Sequence, residues 1–137
     1  MLHKSTLVST LLAAIIFNVL GYAFYDFIAG DYFESHTVAS ITPIMDPLYI
    51  SIGSLLMAFA MANLYRKQTV NFGFTSGFTF GAWIGFLIGF GMGTIMYGTS
   101  GIMDLQSQIV DSVWCLFYYG IAGGTIGWTN KKLTLSP

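Results

Sequence analysis

The 137 residues carry only 8% charged side chains against 55% hydrophobic ones, too few charges to cover a water-facing surface. The length suits one domain rather than two, and a net charge of −1 gives no basic field for nucleic acid. The 16 glycines and 17% aromatic residues suit membrane helices, where glycine permits close approach and rings fill grooves and interfaces.

Four apolar runs follow in chain order, at 7–25, 47–65, 72–97 and 109–128. Each is about 19 to 26 residues long, enough at about 1.5 Å per residue to cross a hydrocarbon layer of about 30 Å. The expected architecture is all-α: a single transmembrane domain over residues 1–137, built as a four-helix transmembrane bundle. The first run has Lys4 ahead of it and Gly21-Tyr22-Ala23 near its end, the outline of a signal peptide. Its length is that of a full span, and it is read as a retained helix.

Between the first two runs, Phe27, Ile28, Tyr32 and Phe33 suggest that helix one continues or that the chain lies along the membrane surface. The same loop carries Asp31, Glu34 and His36, a carboxylate–imidazole group without a metal-site spacing, read as solvated. Asp46-Pro47 reads as an N-cap followed by proline at the first helical position. The short connection at 66–71 predicts that helices two and three are antiparallel neighbours. Asp111 is placed in the first turn of helix four, facing the positive end of its dipole.

Lys4, Arg66, Lys67, Lys131 and Lys132 are the five basic residues. They fall before span one, between spans two and three, and after span four. The other two loops hold Asp31, Glu34, Asp46 and Asp104 instead. Basic residues favour the cytoplasmic side, so both termini are expected there, an N-in and C-in arrangement.

The most specific pattern lies in span three, where Gly73, Gly77, Gly81, Gly85, Gly89 and Gly93 recur every fourth residue. Such a row strips one ridge of side chains, so another backbone can approach and pack by van der Waals contact and Cα–H···O bonds. This predicts a glycine-zipper third helix. A step of four advances about 400°, so the row drifts about 40° per step and its two ends are expected to face different helices. The neighbouring row, Phe74, Phe78, Ala82, Phe86 and Phe90, suggests rings seated in a groove. Matching small faces occur at Gly120 and Gly124, Gly123 and Gly127, at Ser54, Ala58 and Ala62, and at Ser9, Ala13 and Gly21.

Chemistry-bearing residues are sparse. Asp26 and Asp111 sit near the outer ends of spans one and four and form a possible outer polar site. Asn18 is read as the strong amide within a span, suited to an interhelical hydrogen bond. Cys115, the only cysteine, is read as a buried structural thiol. His3 and His36 fall on opposite sides of the membrane and cannot ligate one haem. No Ser-His-Asp, HExxH, P-loop or GxGxxG context appears, so no catalytic, cofactor-binding or metal residues are assigned.

The stretch Phe17-Asn-Val-Leu-Gly21-Tyr-Ala-Phe-Tyr25 resembles the first helix of small uncharacterised bacterial four-span membrane proteins. Ile50 to Tyr65, the Gly77–Gly85 region, Asp111, and Ala122-Gly-Gly-Thr-Ile-Gly-Trp128 before a basic tail are similar too. The resemblance implies a bacterial multi-pass protein and carries no activity or site. The expected function is non-catalytic: a structural or accessory subunit packing through the glycine row with itself or with other membrane subunits, surrounded by lipid in the bacterial inner membrane. The alternative is a small channel or transporter with an outward-facing acidic site.

Overall fold

The computed structural model describes residues 3–38 and 46–135. Helix α1 (Lys4–Tyr22) runs on through a π-helical turn, Ala23–Ile28, and after Ala29 comes the short α2 (Gly30–Ser35). Helix α3 is Pro47–Gln68. Helix α4 (Phe74–Phe86) continues through a second π-helical turn, Leu87–Met92, into α5 (Gly93–Ser100). Helix α6 is Leu105–Leu135. No strand occurs among the described residues; one isolated bridge pairs Thr37 with Met103. Four helical rods, Lys4–Ile28, Pro47–Gln68, Phe74–Ser100 and Leu105–Thr134, are long and apolar enough to cross a membrane.

Local chemistry sets the helix ends. Asp46 Oδ1 accepts from Leu48 N at 2.9 Å and Pro47 follows it, as the sequence suggested for α3. Gly101, with φ +60, ends α5 in the left-handed conformation that glycine adopts without Cβ strain. Asp104 Oδ1 accepts from Ser107 N at 2.8 Å and caps α6. Helix α6 therefore starts before the expected span, and Asp111 lies beyond its first turn, about 9 Å along the axis from Leu105. Asp104, not Asp111, meets the positive end of this helix.

Helix α6 is the centre of the molecule, flanked by α4 on one side and α1 on another, with α3 packed chiefly on α1. The expectation that helices two and three would be close neighbours is corrected. α3 and α4 barely touch, and their ties lie beside the connection, where the Tyr65 ring lies 5.9 Å from Phe72 and 5.5 Å from Phe80. A short connection fixes antiparallel order, but the faces that fit decide who packs on whom.

The buried core is made of small residues with a few rings: Ala13, Phe17, Ala58, Ala62, Tyr65, Ala122 and Ile126. Large aliphatic and aromatic side chains point outward instead, among them Leu11, Ile15, Val19, Leu56, Trp83, Leu87 and Phe117. Lipid tails solvate such side chains as well as a protein interior does, so close backbone packing decides what goes inside.

The bundle has a basic and an acidic end. Arg66 of α3 bonds to Ser5 of α1 and Asn130 of α6, which brings the basic stretches of all three helices together. At the opposite end the loops are clipped to each other. Val38 N donates to Ile102 O at 2.8 Å and Asp104 N to His36 O at 3.3 Å. His36 Nε2 lies 3.9 Å from Asp104 Oδ2. His36 thus pairs with the distant Asp104 and not with Asp31 or Glu34.

Candidate functional site

From Gly77 to Gly93 the glycine row faces α6. A Cβ on Gly77 would strike the Gly123 carbonyl, one on Gly81 the Tyr119 carbonyl, and one on Gly85 the Cys115 carbonyl. A Cβ on Gly89 would lie 2.9 Å from the Ser112 Cα, and one on Gly93 would strike the Gln108 side-chain amide. The partners step back along α6 by three or four residues as the row advances by four. This is ridge-into-groove packing of two antiparallel helices. The expectation that the two ends would face different helices is corrected. The π-helical turn at Leu87–Met92 supplies a physical reason: i→i+5 bonding turns the chain less per residue and winds the drift back.

Gly73 differs from the others. A Cβ there would meet only Ser76 Oγ, at 3.8 Å, while its carbonyl lies against Gly127. Gly120 and Gly124 of α6 receive the rings of Phe78 and Phe74, which would lie 2.8 and 2.6 Å from an added Cβ. Rings seated beside a bare groove are therefore found at these two positions.

At the basic end a polar cluster joins all four rods. Arg66 Nη1 donates to Ser5 Oγ and, at 3.3 Å, to Asn130 Oδ1. Asn130 is wholly buried, and its Nδ2 donates to Ile126 O at 2.9 Å and Ser9 Oγ at 3.4 Å. The Tyr65 hydroxyl lies 2.7 Å from Ser76 Oγ and donates to Gly73 O at 3.3 Å. Asn18 makes the interhelical bond expected of it, accepting from Ser51 Oγ of α3 at 3.1 Å. Sequence reasoning missed Asn130, Arg66 and Gln108 as packing residues. Arg66 counts in the sequence only as a basic residue between spans two and three, Asn130 falls past the expected end of span four at 128, and Gln108 lies just before its expected start at 109.

Toward the acidic end the packing opens into two cavities. One, of about 260 Å³, lies among α1, α3 and α6 and is lined by Asn18, Tyr22, Tyr25, Asp26, Ile50 and Tyr118 among others. The other, of about 340 Å³, lies between the second π-helical turn with α5 on one side and α6 on the other. Its lining includes Met92, Met96, Met103, Gln108, Asp111 and Cys115. Each cavity borders one π-helical turn. Such turns occur often at functional sites.

The two cavities are linked through one hydrogen bond. The Tyr25 hydroxyl, lining the first, donates to Asp111 Oδ1, whose residue lines the second. The structure thus places Asp26 and Asp111 on different cavities, with Tyr25 as the connection. Asp26 is exposed, whereas Asp111 is partly buried. Beside them Trp114 stacks on Phe24, with ring centroids 4.1 Å apart.

Cys115 is 6% exposed and lines the larger cavity one helical turn from Asp111. Gln108 Nε2 donates to Ser112 Oγ at 3.2 Å, and Ser112 Oγ donates to Gly89 O at 2.7 Å, which ties α6 to the π-helical turn. Among the described residues no three His, Cys, Asp or Glu side chains converge as a metal group. No family model matches the chain, and no curated protein or solved structure matches it.

Proposed function

We propose that this chain is a non-catalytic, multi-pass membrane protein of the bacterial inner membrane, a small channel or transporter that admits a small cation at its outer, acidic end. Both termini lie in the cytoplasm in this reading, since the basic end carries Lys4, Arg66, Lys67, Lys131 and Lys132. The glycine row acts as a glycine zipper within the chain, holding α4 on α6.

The observation that carries the reading is the pair of cavities at the acidic end, linked by Tyr25 and Asp111. A carboxylate in a membrane-spanning helix, facing a cavity, marks an ion or substrate path by default. The expectation from the sequence, an accessory subunit, rests on glycines free to meet a second chain. Gly77, Gly81, Gly85 and Gly89 already meet α6, which removes that support.

The test is cation flux in proteoliposomes. Wild type is expected to pass monovalent cations above the protein-free background, with the flux lost in Asp111→Asn and retained in Asp26→Asn. Wild-type flux at background, with Asp111→Asn identical, would return the protein to the accessory class.

A further inference from the structure

The larger cavity has a lining whose chemistry is more specific than a single acid. Three of the chain's seven methionines, Met92, Met96 and Met103, border it together with the only cysteine, Cys115. Met92, the last residue of the second π-helical turn, and Met96 of α5 stand four residues apart; both border the cavity and are 56% and 54% exposed. Cys115 approaches from α6, and Met103 from the segment connecting α5 to α6. Asp111 lies one turn from Cys115 and borders the same space.

Thioether and thiol sulfurs are soft donors that favour Cu(I) over hard cations such as Mg²⁺ or Ca²⁺. A carboxylate at the rim supplies the negative charge that a monovalent cation needs in a low-dielectric site. Tyr25 holds one oxygen of that carboxylate through its hydroxyl hydrogen, which leaves the other for a cation. Methionines used only as flexible apolar filler would need neither the acid nor the thiol beside them.

We infer that this cavity is a binding site for a soft monovalent metal ion of the Cu(I) class, with Met92, Met96, Met103 and Cys115 as sulfur donors and Asp111 as the compensating charge. The inference names the cation for the transport reading above and rests on that reading for its physiological role. Binding itself can be tested without transport.

The experiment uses the full chain in lipid nanodiscs, with Ag(I) as a redox-inert probe in competition with a soluble thioether chelator. One Ag(I) per chain is expected. Met92→Leu/Met96→Leu, which keeps volume and apolarity, is expected to weaken binding by roughly tenfold or more. Cys115→Ser is expected to act in the same direction. Met57→Leu, a methionine bonded to Tyr119 away from this cavity, is expected to leave it unchanged. Thermal unfolding of each variant separates lost binding from lost fold. Absent Ag(I) binding, or binding indifferent to the Met92/Met96 and Cys115 changes, would overturn the inference. Alkali-cation flux that depends on Asp111 without Ag(I) binding would overturn it and leave the transport reading standing. Site-dependent Ag(I) binding without flux of any cation would uphold the site and remove the transport reading.

Discussion

Asp104 combines three roles in one side chain: it caps α6, lies near His36, and sits where the two acidic-end loops are clipped together. The hydrogen bond from Ser107 N first, and then the Ser107 hydroxyl and the electrostatic attraction of nearby His36, hold its carboxyl below the usual carboxylate range. Because the folded value lies below the unfolded one, the stabilisation is fully present above the unfolded value and is lost as pH falls through the folded value. Thermal unfolding in detergent should therefore show Asp104→Ala less stable than wild type at neutral pH. The gap should narrow below about pH 4. A gap constant down to strong acid would contradict this role for the charge. Nothing in the sequence near Asp104 marked it above Asp46, because a cap is announced by a following proline in one case and only by a serine three residues on in the other. Asn130 was illegible for a different reason. It reads as part of a basic tail, and only the packing of Ser5, Ser9 and Arg66 around it shows it to be a wholly buried polar link.

At the scale of elements, the pairing of α4 with α6 is the most extensive one among the described residues, and its period was visible in the sequence. Its partner was not. A row of glycines says that a backbone comes close, not whose, and straight-helix geometry gave the wrong answer because the π-helical turn is not written in any residue pattern. The structure separates two kinds of glycine in the same long rod. Gly81→Ala would drive a methyl into the Tyr119 carbonyl, an overpacking that costs about 1–3 kcal/mol because a backbone must move. Gly98→Ala meets nothing within 4 Å and should be neutral or stabilising, by up to about 1 kcal/mol, from helix propensity alone. Thermal unfolding of the two variants measures the contrast directly. Equal effects, or Gly98→Ala as the more damaging, would mean that α4 does not lie on α6 as described.

On the scale of the whole molecule, the two ends differ in construction. The basic half is closed by glycine backbones, small residues such as Ala58, Ala62 and Ala122, and a polar cluster on Arg66 and Asn130. The acidic half holds two cavities, two π-helical turns and the Tyr25–Asp111 bond. Segregation of charge was legible from the order of Lys4, Arg66, Lys67, Lys131 and Lys132 along the chain, because alternating spans return each to the same end. The cavities were not, because they depend on which side chains fail to fill space. The contrast between a closed and an open half is tested most directly by water accessibility along α6. Cys115 borders the larger cavity, whereas Ala122, wholly buried, and Thr125, partly buried, lie farther toward the basic end. A small charged methanethiosulfonate, applied to one side of the membrane at a time, is the probe. Cys115 is expected to react from the acidic side only. Ala122→Cys and Thr125→Cys, each in a Cys115→Ser background, are expected to stay unreactive from both sides until the protein unfolds. Equal reaction at all three positions, or a Cys115 inert from either side in the folded protein, would contradict the division into a sealed and an open half.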